Sequence, residues 1–222
     1  DLIAAEEQLW RDYPRFMELA NPRPVTVEDL QKKLLRPGEV LLSYVLLPQE
    51  TVIFAVTREQ FRMTVTQVHR TSIAQRVHLV RRAIEKVAVG ESVLFLREVD
   101  PETLHSLHRD LLGPVAPLLA GRDKVLVVAD GPLQTIPFEL LVASYTPAEK
   151  AAFESAKSDS DGTAQKPYLA EYGALDYAGR RLRFAYLPSL SALTSQRLYP
   201  KRAAAGRLDL VAFADPSARV SM

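Results

Sequence analysis

Five consecutive residues, Val125-Leu126-Val127-Val128-Ala129, would be apolar on both faces of a strand, and they run straight into Asp130-Gly131-Pro132. A strand without a polar face belongs in the middle of a parallel or mixed sheet with helices on either side. Around this segment, strand patterns alternate with helix patterns and no internal repeat of 20–50 residues interrupts them, so the expected fold class is α/β.

The lead-in, residues 1–36, reads as helical. Leu2, Leu9, Trp10, Tyr13, Phe16 and Met17 recur at three- and four-residue spacings, which predicts an amphipathic helix over 1–19. Pro14 should end or kink it near Tyr13. Thr26 with Asp29 predicts a capped second helix carrying Leu30, Leu34 and Leu35, stopped by Pro37-Gly38. Val40–Leu47 and Thr51–Thr57 read as an antiparallel hairpin, with a third strand over 62–68. Ser72 offers a cap to an amphipathic helix whose core face is Ile73, Val77, Val80, Ile84 and Val87; Arg76, Arg81, Arg82 and Lys86 are expected on its solvated side. Asp100-Pro101-Glu102 is a strong helix start, with a capping carboxylate, proline at the first helical position and an acid near the positive end of the dipole. The polar run from Pro147 to Pro167 is expected to be a mobile loop. Two more strands, over 183–187 and 208–213, should flank a short helix begun at Pro188-Ser189.

Composition narrows the chemistry. The 222 residues contain no cysteine, which excludes disulfides, thiolate zinc sites, iron–sulfur clusters and a thiol nucleophile within this sequence. A chain of this length is expected to bury roughly 70% of its unfolded surface, enough for a core without such staples. The amino terminus is acidic and lacks the pattern of a signal peptide, and no stretch approaches a membrane span, so a cytoplasmic location without membrane contact is expected. The 28 basic residues nearly balance the 27 acidic ones, which gives no reason to expect a nucleic-acid partner.

Candidate sites are few. His105 and His108, three apart with Asp110 nearby, are the nearest approach to a metal site, although partly exposed histidines on an amphipathic helix are the plainer reading. His69 and His78 suggest no partner residue. Ser189 and Ser191 lack a strained nucleophile elbow and read as helix caps. No glycine pattern suited to cradling phosphate is present. Asp130 lies where α/β sheets often bind ligands, yet an Asp-Gly turn requires no ligand to explain it. No residue is assigned a catalytic, cofactor-binding or metal-ligating role.

The segment Val125-Leu-Val-Val-Ala-Asp-Gly-Pro-Leu-Gln-Thr-Ile-Pro-Phe-Glu-Leu-Leu141 resembles the strand and "DGPLxxxPFxxL" turn of CHAT domains, caspase-like and separase-like bacterial cysteine peptidases often fused to tetratricopeptide repeats. Leu34-Leu-Arg-Pro-Gly-Glu-Val-Leu-Leu-Ser-Tyr44 is similar to the family's opening strand. Leu111-Leu-Gly-Pro-Val-Ala-Pro-Leu-Leu119 resembles the helix before the marker strand, and Phe184-Ala-Tyr-Leu-Pro-Ser-Leu-Ser191 the "YLPS" segment. Val211-Ala-Phe-Ala-Asp-Pro216 would be the following strand and turn. Gln134 departs from the family, whose members often carry histidine there. The resemblance covers roughly residues 30–216 and implies a partial caspase-like α/β/α fold, a mixed sheet flanked by helices over 37–222, after a lead-in like the tail of upstream repeats.

In that family the dyad is a histidine in a His-Gly segment and a cysteine in a Ser-Ala-Cys segment, the thiol attacking with histidine as base. Both would follow Met222. The resemblance thus implies a non-catalytic amino-terminal portion that braces the catalytic half, links it to upstream repeats and, through the parent protein, meets a protein substrate or regulator. Alternatives are a protein-interaction module without catalysis and, more weakly, an unrelated α/β enzyme with a site near Asp130.

Overall fold

Residues 2–21, 23–159 and 167–199 are described by the structure, a computed structural model. The elements are α1 (Leu2–Asp12), α2 (Pro14–Ala20), α3 (Val27–Asp29) continuing as a π-helical turn (Leu30–Leu34), β1 (Glu39–Leu46), β2 (Thr51–Val56), β3 (Phe61–Thr66), α4 (Arg70–Ala88), α5 (Pro101–Leu111), α6 (Ala116–Leu119), β4 (Lys124–Val128), α7 (Pro147–Asp159), β5 (Arg183–Tyr186) and α8 (Leu190–Leu198). The strands form one mixed sheet in the order β3-β2-β1-β4-β5, flanked by helices, so the fold is α/β. β1, β2 and β3 form an antiparallel meander, while β4 pairs parallel to β1 and β5 parallel to β4. The strand expected over 208–213 lies outside the described residues.

Side-chain alternation assigns each face. Val40, Leu42, Tyr44 and Leu46 of β1, with Ile53, Ala55, Val125 and Val127 of its neighbours, point to one side. There Ile73, Val77, Val80 and Ala83 of α4 and Leu104, Leu107 and Leu111 of α5 cover them. Leu41, Val56 and Leu126 point to the other side and are covered by Leu30, Leu34 and Leu35 and by Leu193 of α8. Tyr44 is buried yet satisfied, its hydroxyl donating to Leu111 O at 3.0 Å, as a buried phenol requires.

The local signals act as expected at several ends. Pro14 divides the first helical pattern into α1 and α2 and occupies the opening turn of α2. Thr26 Oγ1 accepts from Asp29 N at 3.1 Å. The Asp100 carboxylate accepts from Glu102 N at 3.2 Å and Thr103 N at 3.0 Å, capping α5.

Three expectations need correction. The run from 147, expected as a loop, is helical over Pro147–Asp159; residues 160–166 lie outside the described part. Its start is a capping box: Glu149 N donates to Thr146 Oγ1 at 3.3 Å and Thr146 N to Glu149 Oε2 at 2.6 Å. Its only aromatic residue, Phe153, is buried edge-on against Tyr145 and Tyr172, with ring centroids 6.3 and 5.1 Å away. Second, α4 begins at Arg70, ahead of Ser72, with His69 in the cap position and making no side-chain cap bond. Third, Arg76 does not lie on a solvated side. Its guanidinium donates to Ser106 Oγ at 3.0 Å and Asp110 Oδ2 at 2.8 Å, fastening α4 to α5.

The carboxyl end of α8 is held by charge. Arg197 donates to both oxygens of buried Glu39, at 2.7 and 2.9 Å, and Arg36 N donates to the same carboxylate at 2.8 Å. Burial pushes the Glu39 pKa up most strongly of any single influence, but the hydrogen bonds from Arg197 and Arg36 N, with the two arginine charges, together outweigh it and hold the pKa below the ordinary value. A carboxylate with a depressed folded pKa stabilises the fold above its unfolded pKa and loses that contribution as pH falls through the folded value. Urea unfolding should therefore show stability declining below about pH 4.3, the usual unfolded glutamate value. Glu39→Gln should lower stability at neutral pH and flatten that acid decline; an unchanged slope would remove Glu39 from the account.

Candidate functional site

β1, β4 and β5 run parallel, so their carboxyl ends share one edge of the sheet. In open α/β sheets this edge is where ligands usually sit, and the marker turn after β4 lies on it.

Asp130 is engaged by the backbone of a neighbouring strand. Its Oδ2 accepts a hydrogen bond from Leu46 N at 2.8 Å, so the side chain ties the turn after β4 to the end of β1. Gly131 follows at φ +52°, in the left-handed region. A Cβ there would lie 3.1 Å from Nη2 of Arg70, whose guanidinium packs over the turn from the head of α4. Arg70 N in turn donates to Leu47 O at 3.3 Å. The Gln134 side-chain amide donates to Ala129 O at 3.2 Å, so Gln134 also serves the turn.

The segment after the turn is fastened to β5. The Tyr186 hydroxyl accepts from Phe138 N and donates to Glu139 Oε2, both at 2.6 Å. Burial, followed by the hydrogen bond to Glu139, pushes the phenol pKa up. Phe138 is buried between Tyr44 and Phe184, with ring centroids at 5.5 and 6.0 Å. Gly179 is required close by, because a Cβ there would lie 2.9 Å from Glu139 Cβ. The edge is thus a set of interlocked turns, and its polar groups are largely spent on one another.

The other candidates are dispersed. His105 Nδ1 lies 3.0 Å from Val142 O, and His108 is half-buried, its pKa lowered first by burial and then by the charges of His105 and Arg181. His69 and His78 are exposed. Ser189 Oγ accepts from Ala192 N at 3.2 Å as the cap of α8, and Ser191 lies inside that helix. Among the described residues no group of three or more histidine, aspartate or glutamate side chains is placed to hold a metal ion. Nor, among those residues, is any helix long and apolar enough to cross a membrane.

Sequence reasoning missed Arg70 and Tyr186. An Asp-Gly turn at a strand end signals positive φ, but nothing in the sequence says which distant cation covers it. It also missed Glu171, whose buried carboxylate oxygens have no hydrogen-bond partner and of which Oε1 lies 3.8 Å from Arg97 Nε. That pair joins the turn 170–174 to the turn 93–98 and lies away from the strand edge.

No family model matches the chain, and no curated protein matches it.

Asp130 and Gly131 therefore carry a structural prediction. Asp130→Ala should destabilise the fold by about 1.5–3 kcal/mol, the range for a hydrogen bond to a charged group, and Asp130→Asn, which keeps an acceptor, should cost less. Gly131→Ala should cost about 1–2 kcal/mol for the left-handed backbone. Chemical denaturation measures all three; a fully stable Asp130→Ala would return Asp130 to the ligand-binding reading.

Proposed function

We propose that the chain is the non-catalytic amino-terminal portion of a CHAT-domain, caspase-like cysteine peptidase, bracing a catalytic half supplied by the rest of the parent protein and linking it to upstream repeats. The observation that carries this reading is β5. Parallel strands are normally covered on both faces, and an exposed strand edge offers unpaired backbone groups to a further strand. Among the described residues β5 pairs with β4 alone, and Arg183, Ala185 and Tyr186 are exposed. Such a strand calls for a further neighbour, and the family resemblance puts the catalytic segments in the sequence that comes next. The marker turn then has a mechanical role. Asp130, Gly131 and Tyr186 fix the carboxyl edge on which the dyad would assemble, and no proton or nucleophile comes from these residues.

A second reading, an interaction module without catalysis, is favoured by the apolar sheet face of β1, β2 and β3, which the described residues leave partly exposed at Val45, Met63 and Val65.

The readings separate in a reconstitution assay. The chain by itself should show no thiol-dependent peptidase activity. Mixed with, or joined to, the succeeding part of its parent carrying the His-Gly and Ser-Ala-Cys segments, it should restore activity that a Cys→Ala change in the latter abolishes. Proteolysis by this chain without cysteine, or a parent lacking both segments, sinks the peptidase reading.

A further inference from the structure

Among the described residues Glu171 is the one carboxylate whose two oxygens are both buried and without a hydrogen-bond partner. Its side chain has 0% exposure, and Arg97 Nε, 3.8 Å from Oε1, stands outside hydrogen-bonding distance. Enclosing a charge without such bonds is costly, and a native group left in that state calls for a reason. One lies alongside. Glu171 helps to line a cavity of about 290 Å³ where α7 meets the segment 171–176.

The wall of this cavity has two chemistries. Phe153, Ala156 and Leu175 belong to its apolar part, which is the larger. Glu149, Glu171 and Asp176 bring three carboxylates to it, and no lysine, arginine or histidine among the described residues lines it. Hydrogen bonds from Thr146 and Ser144 hold the Glu149 pKa below its ordinary value, so this carboxylate is ionised at neutral pH. The nearby cations stand outside the wall. Arg181 pairs with Asp176 at 2.6 Å, and Lys157 Nζ sits 5.9 Å from the centre of the Phe153 ring. An ammonium at that distance is attracted by an aromatic face.

We infer that this cavity binds the protonated amine of a small organic molecule, an ammonium head on a short apolar stem. The stem would lie on Phe153 and Leu175, and the head would meet Glu171. The last torsion of a glutamate side chain is broad. With no hydrogen bond to restrain it, the Glu171 carboxylate can turn from Arg97 towards the ammonium, whose N–H groups then supply the donors its oxygens lack. In a site with little water the two opposite charges attract more strongly than at the surface. The volume is at the small end of ligand pockets, which span about 300–1,000 Å³, so the molecule is small. Charge selects the head group: three carboxylates repel an acid, and an alcohol of the same length leaves Glu171 without a counter-charge. The site draws on no residue of the carboxyl edge, so its failure would leave the peptidase reading untouched.

Calorimetric titration of the 222-residue chain with n-pentylammonium chloride at neutral pH should give saturable binding, with a Kd of about 0.1–1 mM for so few atoms. 1-Pentanol should bind at least about tenfold more weakly, as the loss of a charge-assisted hydrogen bond predicts, and hexanoate should not bind. Glu171→Gln keeps the shape and removes the charge; it should weaken pentylammonium binding at least about tenfold. A Glu171 that only pairs with Arg97 would lose stability on this change and leave the amine's affinity as it was, which overturns the inference. Ala156→Leu, at an exposed position of α7, fills the cavity and should abolish binding with an unchanged circular dichroism spectrum. No saturable binding of pentylammonium, equal affinity for 1-pentanol, or binding indifferent to Ala156→Leu also overturns it. A lysine side chain carries the same head and stem, so Nα-acetyl-lysine N-methylamide is the last probe: it should bind more weakly than pentylammonium, and equal affinity would assign the site to a protein's lysine instead of a free amine.

Discussion

Everything in this fold hangs on β1 being satisfied from four directions at once. It bonds antiparallel to β2 on one edge and parallel to β4 on the other, while its side chains enter separate cores on the two faces. The parallel pairing to β4 is the demanding part. It joins residues far apart in sequence and requires α4 and α5 to pass over one face before β4 can return. That crossover explains why α4 and α5 carry the deepest leucines and valines, and why Arg76 is drawn in between them to Asp110. Two helices that cover a single strand pair must also be fixed to each other.

Much of this was legible in the sequence because local chemistry and global packing agree there. The residues 125–129 could serve nowhere but in the centre of a sheet, and Asp100-Pro101-Glu102 names its helix without help. The region after Pro147 was misread because its polar composition was weighed above a short local signal. Thr146 and Glu149 stand at capping-box spacing ahead of good helix formers, and one phenylalanine suffices to anchor the helix between two tyrosines. Arg76 was misread for a different reason: helical periodicity reports which side of a helix faces the sheet, but not whether another helix covers its flank.

The carboxyl edge illustrates what a one-dimensional reading leaves out. Asp130 stands where ligand-binding groups stand in many α/β sheets, and position alone made it a candidate. Its task is decided by Leu46, whose backbone N–H at the end of β1 would otherwise lack a partner near the top of the sheet. A buried backbone donor left unpaired costs about as much as a lost hydrogen bond, so a carboxylate within reach is consumed by the architecture before it can serve chemistry. The Tyr186 hydroxyl is consumed in the same way by Phe138 N.

The order of strands also bears on how the chain comes to be folded. The meander of β1, β2 and β3 closes through short turns, whereas Leu41 must wait for Leu126 before the parallel half exists, and contacts of such separation form slowly. During synthesis the three-stranded unit therefore emerges first, with one face bare until α4 and α5 arrive and the other covered only in part by Leu30, Leu34 and Leu35. Among the described residues, nothing covers the second of those faces at its β3 end. The meander is thus the stretch of the nascent chain with most to gain from a chaperone or from rapid arrival of its helices, and the stretch from which misassembly would begin.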